Sequence, residues 1–123
     1  TLISSLGIED LVEIVPGDKV DVVDYYAKSD YMIFPSRFEG FGIVLVEAQA
    51  MGVQCYVSEN IQPEVNVGLL NFLSLSDGPK TWAERIVDDV QNGRKGCCDI
   101  TKLMQYSDEV ISRQYAEIYN GNN

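Results

Sequence analysis

The chain has 123 residues, 46% of them hydrophobic, a net charge of -10 and no histidine. That length and apolar content suffice for one compact core, while the acidic balance excludes a phosphate-coating surface of clustered Lys and Arg, and with it a nucleic-acid partner. There is no apolar run long enough to span a bilayer, and the start TLISSLGIED lacks the basic flank of a signal peptide; it reads as the end of a helix.

The first predicted element is the β-branched run LVEIV (11–15), a strand closed by the turn Pro16-Gly17-Asp18. From 20 to 28, Val20, Val23 and Ala27 recur at helical spacing, with Asp18 as the N-cap. YMIF (31–34) is continuously apolar and stops at Pro35, as a strand buried on both faces of a parallel sheet does. A loop (35–42) leads into a helix over 43–51, stopped by Gly52. Strands follow at 53–57 and 70–75; Ser76-Asp77-Gly78-Pro79 then caps a helix over 80–91, closed by Asn92-Gly93.

A connector containing Gly96, Cys97 and Cys98 precedes a last helix over 107–119, with Ser107 as N-cap. The three cysteines, Cys55, Cys97 and Cys98, are odd in number with two adjacent, so they fit no disulfide framework and, without histidine, no zinc spacing. No metal site is expected, and free thiols point to a reducing cytoplasm.

Short strands alternating with helices predict an α/β fold with an open, mostly parallel sheet. Ligands of such sheets sit outside the carboxyl ends of the strands. The candidate loops are therefore 16–19, 35–42 and 58–64. Only the second concentrates chemistry, with Ser36, Arg37, Glu39, Gly40 and Gly42 close together at a helix N-terminus. The two glycines allow a ligand close to the main chain. The first N–H groups of the helix, around Gly42, Ile43 and Val44, offer an anion site without basic side chains, fit for a diphosphate. Glu39 and Glu47 flank that site; carboxylates there suit hydroxyls, such as those of a sugar and a ribose. Glu47 is read as a carboxylate interrupting a buried helical face, Arg37 as a solvated loop residue, and Trp82 as core.

The segment YMIFPSRFEGFGIVLVEAQAMGV resembles the large retaining group of GT-B glycosyltransferases, those with a Glu, seven residues, then Glu signature. It carries the family's Pro-Ser, Glu-Gly-Phe-Gly, a short apolar run and Glu-Ala, followed by Ala48, Ala50 and Gly52. LVEIVPG, VDVVDYYAKSD and QPEV extend the likeness, and LLNFLSLSDGPKTWAERI is similar to the capsule and exopolysaccharide branch.

The resemblance implies a Rossmann-like fold and a single partial nucleotide-sugar-binding domain over 1–123. It further implies a hexosyltransferase that moves a sugar from a nucleotide sugar to an acceptor hydroxyl with retention and without a metal or other cofactor. It makes Glu39 the catalytic and sugar-contacting residue and Glu47 the ribose ligand, with Gly40, Phe41, Gly42, Ile43 and Val44 around the sugar and diphosphate. The family's diphosphate-neutralising Arg and Lys, and an acceptor domain for a glycan or lipid-linked acceptor, are expected upstream, so the fragment alone is expected to be inactive. Location is expected in the cytoplasm, with peripheral association of the full enzyme at the inner membrane face.

Two departures stand out: Asn60-Ile61 replaces the family's Gly-Gly, separating this loop and Glu64 from the donor-side pattern, and Gln54 replaces proline, read as structural. The competing reading is a non-catalytic nucleotide-sugar-binding subunit of the same fold. An epimerase is disfavoured by the lack of histidine.

Overall fold

The computed structural model describes residues 2–16, 22–37 and 43–106. Helix α1 (Leu2–Leu6) and a 3-10 turn (Glu9–Leu11) precede α2 (Val22–Lys28). Strand β1 (Tyr31–Phe34), helix α3 (Ile43–Ala50) and strand β2 (Gln54–Ser58) form a parallel β-α-β unit. A 3-10 turn (Pro63–Val65) leads to β3 (Leu70–Leu73), and another (Leu75–Asp77) leads to α4 (Gly78–Gln91) and then α5 (Ile100–Tyr106). The strands lie in the order β1-β2-β3, all parallel, with Phe34 opposite Val57 and Val57 opposite Phe72. The α/β class and its open parallel sheet are thus as the sequence pattern predicts.

The central strand is buried along its whole length, and side-chain alternation divides it between two layers. Cys55 and Val57 face a core made with Tyr26, Leu45, Val46, Ala48, Ile61, Val65 and Leu70, against which Met32, Phe34 and Leu103 also pack. Gln54, Tyr56 and Ser58 face the other way, where Tyr56 donates to Asp89 of α4 at 2.9 Å. Helices α2, α3 and α5 therefore cover one face and α4 the other.

Several boundaries differ from those predicted, each for a local reason. LVEIV is not a strand: the Leu11 N–H is taken by the Ile8 carbonyl in the 3-10 turn, and Val12 is extended without a strand partner. Leu11 is 83% and Ile14 78% exposed. Strand β1 forms where predicted but is not buried on both faces; it is an edge strand among the described residues, with Ile33 57% exposed. Strand β3 ends at Leu73 because the Ser74 hydroxyl accepts from the Ser76 N–H and starts a turn. Helix α4 begins at Gly78, two residues early, with Pro79 in its first turn, and Asp77 makes no capping bond. Helix α5 occupies part of the expected connector, because Asp99 caps it through the Lys102 N–H at 3.2 Å. The predicted helix over 107–119, the turn at Gly17 and the Asp18 cap lie outside the described residues.

The connector after α4 is tied tightly to the amino ends of the strands. The Gln54 side chain donates to the Arg94 carbonyl at 3.1 Å and accepts from the Gly96 N–H at 2.9 Å, which bears out its structural reading. Asp99 N–H reaches the Val67 carbonyl at 2.6 Å. Gly68, at φ +117°, passes so close to this connector that a Cβ there would meet the Cys97 carbonyl oxygen at 1.9 Å.

Candidate functional site

At the carboxyl ends of the strands, β1 runs out through Pro35, Ser36 and Arg37, of which Ser36 is half-buried and Arg37 exposed. The next described residue is Ile43, at the start of α3. Glu39, Gly40, Phe41 and Gly42 lie outside the described residues, so of the predicted site residues Ile43, Val44 and Glu47 are located. Their spacing of three and four puts them on one side of α3. Ile43 and Val44 are half-buried there, and Glu47 is exposed.

That exposure corrects one premise of the sequence reading. Glu47 does not interrupt the buried face of α3, which consists of Leu45, Val46, Ala48 and Gln49. Its carboxylate faces outward beside Tyr26, whose phenol is pushed up first by burial and then by the charge of Glu47. An exposed carboxylate beside the first turn of a helix is free to accept hydroxyl hydrogen bonds at no folding cost.

The buried polar residue in this helix is Gln49, fully enclosed. Its amide donates to the carbonyls of Leu45 at 3.0 Å and Val65 at 2.8 Å, and its oxygen accepts from the N–H groups of Val67 at 2.9 Å and Leu69 at 3.1 Å. It is structural, holding α3 against the chain that enters β3.

Two further loops end beside the first. Ser58, the last residue of β2, donates its hydroxyl to the Ser36 carbonyl. Glu59, exposed, accepts from the Ser74 hydroxyl at 3.0 Å, and the Trp82 indole donates to the Ser74 carbonyl at 2.8 Å. Trp82 is 6% exposed, as a core residue should be, and also walls an apolar hollow of about 310 Å³ with Ile33, Pro35, Leu75 and Ile86. Glu64 is exposed on its 3-10 turn. The loop over 16–19 has only Pro16 within the described residues.

Away from these loops, Asp89 is 3% exposed and receives Tyr56, Arg85 at 3.0 Å and Arg94 at 3.2 Å. Burial alone would raise its pKa, but these hydrogen bonds outweigh burial and hold it below the usual aspartate value. Burial pushes the Cys55 thiol up to about 12, so it is an inert core group. Among the described residues no helix is long and apolar enough to cross a membrane.

The chain matches the family described as Glycosyl transferases group 1 over residues 1–68, more than half its length. It is 43% identical over 67 residues to EpsF of Bacillus subtilis (strain 168), which carries a glycosyltransferase name; that match covers 53% of this chain and 17% of EpsF. It is 34% identical over 83 residues to the D-inositol 3-phosphate glycosyltransferase of Streptosporangium roseum, covering 65% of this chain and 19% of that protein. The protein of that name in Corynebacterium urealyticum is 29% identical over 125 residues, covering 96% of this chain and 30% of its own. The chain thus spans between 17% and 30% of the length of these relatives.

Proposed function

Since the chain belongs to the Glycosyl transferases group 1 family, we propose that it forms the donor side of a retaining hexosyltransferase active in cell-surface glycan synthesis. The donor is a nucleotide-diphosphate sugar. Backbone groups from Gly40 to Val44 hold its sugar and diphosphate, Glu39 accepts from hydroxyls of the transferred sugar, and Glu47 accepts from the ribose. The helix dipole and cationic side chains outside this chain carry the negative charge of the leaving diphosphate, in place of a metal. The acceptor, a glycan or lipid-linked hydroxyl, is bound by another part of the enzyme, working in the cytoplasm at the inner membrane face.

The observation that carries this reading is the position of Glu47, exposed on the side of α3 shared by Ile43 and Val44, one turn into the helix that follows the parallel strand β1. Ligands of open parallel sheets gather at the carboxyl ends of such strands. The mechanism asks little proton chemistry of these residues; it asks for position, and for electrostatic complementarity that grows as the glycosyl bond breaks.

Titration of the full-length enzyme with UDP, GDP and their sugar conjugates tests the assignment. Glu47→Ala should weaken the donor that binds by about 1.5–3 kcal/mol, roughly ten- to a hundred-fold in Kd. Unchanged affinity would refute ribose binding by Glu47.

A further inference from the structure

The α4 side of the sheet is roofed over two strands and open over the third. Helix α4 is tied to β2 through Asp89 and Tyr56 at 2.9 Å, and to β3 through Arg85 and Asn71 at 3.4 Å. A helix is about 10 Å across and neighbouring strands lie about 4.8 Å apart, so one helix covers about two strands. Ile33 of β1 stands opposite Tyr56 in the parallel register and so belongs to the same side of the sheet. Tyr56 is fully enclosed there, whereas Ile33 is 57% exposed. On its other side β1 is finished, with Met32 and Phe34 packed against the core that holds Tyr26 of α2 and Leu45 of α3.

The open place has a definite chemistry. Ile33, Pro35, Leu75, Trp82 and Ile86 wall the apolar hollow of about 310 Å³. The Trp82 indole N–H is already donated to the Ser74 carbonyl, so a polar ligand entering the hollow would lose its hydrogen bonds to water without gaining others. Apolar side chains fit it. Alongside runs the outer edge of β1, which has no strand partner among the described residues.

We propose that this face is the seam at which the rest of the enzyme completes the sheet. A strand from outside residues 1–123 pairs with the outer edge of β1, and an amphipathic helix attached to it lies beside α4, its apolar side chains in the hollow over Ile33. Parallel strands are covered on both faces by their crossover helices, and each crossover is right-handed. The crossover from β1 to β2 carries α3 on one face; a chain stepping the opposite way, outward from β1, therefore carries its helices on the other face, where the hollow lies. The chain covers only 17–30% of its relatives, so they hold ample length for such a unit. Two other occupants fit less well. A second copy joined edge to edge brings a second hollow, no helix to fill either, and a second charge of -10. Residues 107–123 follow α5, which lies on the wrong side of the sheet, where Leu103 packs against the core. The seam is required whichever donor binds.

The test uses purified full-length enzyme carrying Ala83→p-benzoylphenylalanine, a photo-crosslinker on the wall of the hollow, with crosslinked peptides identified by mass spectrometry. A crosslink within one chain to a peptide outside residues 1–123 is the expected result. A crosslink to residues 107–123, a product of twice the chain mass, or no crosslink from folded protein overturns the proposal. Two measurements without the bulky group stand beside it. In the unaltered enzyme the amides of β1 that face away from β2 should be protected from hydrogen exchange, equally so on dilution. Ile33→Ser should lower the thermal midpoint by several degrees, as loss of a buried side chain does. Unprotected outer amides, protection lost on dilution, or a midpoint within about one degree of the unaltered enzyme would each overturn the seam.

Discussion

The two ends of the sheet are built on different principles. At the amino ends of the strands, polar side chains are buried and spent on backbone: Gln49 satisfies groups on Val65, Val67 and Leu69, and Gln54 satisfies the connector. Gly68 and the connector meet there main chain to main chain, at a distance no side chain fits. At the carboxyl ends the links are hydrogen bonds between loops, and the carboxylates of Glu47 and Glu59 stand exposed. One end spends its polar side chains inside the fold; the other leaves carboxylates at the surface.

This contrast predicts that substitutions at the two ends fall into opposite classes. The largest effect on stability should come from Gln49→Ala, which strands two buried N–H groups and a carbonyl at a cost of about 3–5 kcal/mol. A shift of the urea midpoint measures it, and donor affinity of the molecules that remain folded should be unchanged. Gly68→Ala comes next, at about 2–3 kcal/mol, because φ +117° is a backbone conformation L residues resist and the new Cβ collides with the Cys97 carbonyl. Thermal unfolding would show it, and a neutral result would mean the connector yields and the locked end is looser than its geometry.

A smaller effect is pH-dependent. The Asp89 carboxyl is held below its usual value of about 3.9, so its ionised form stabilises the fold above that value. The contribution disappears as the pH falls through the lower, folded-state value. Asp89→Asn should cost about 1–2 kcal/mol at neutral pH, and the gap from the unaltered protein should narrow in acid below about pH 4. A gap independent of pH would show that shape, not charge, ties α4 to β2. The same Glu47→Ala that weakens donor binding should move the unfolding midpoint by less than about 0.5 kcal/mol, as an exposed carboxylate should.

Much of this contrast was legible in the sequence, and unevenly so. Runs such as YMIF and the glycine after AQAM mark strand and helix ends by local chemistry alone, and the structure agrees with both. LVEIV carries the same β-branched signal but lacks the neighbour that turns an extended chain into a strand; pairing is a tertiary property that composition does not record. The motif from Pro35 to Glu47 was visible as chemistry, yet which polar residue of α3 is buried was not, because IVLVEAQA offers Glu47 and Gln49 two positions apart and only packing decides between them. Ser58 escaped for a related reason. A serine ending an apolar strand looks like a turn signal, and its partner, Ser36, lies far off in sequence. The segment Asp99 to Lys102, next to the adjacent free cysteines Cys97 and Cys98, does carry a capping signal.

Among the described residues the outer side of β1 is open, which has a practical consequence for anyone producing this chain by itself. Its outer backbone groups form a template for strand addition, and Ile33 and the hollow walled by Trp82 supply apolar surface beside it. Edge-to-edge association is then opposed chiefly by the net charge of -10. Salt, which screens that repulsion, is accordingly the variable that decides whether such a preparation stays monodisperse.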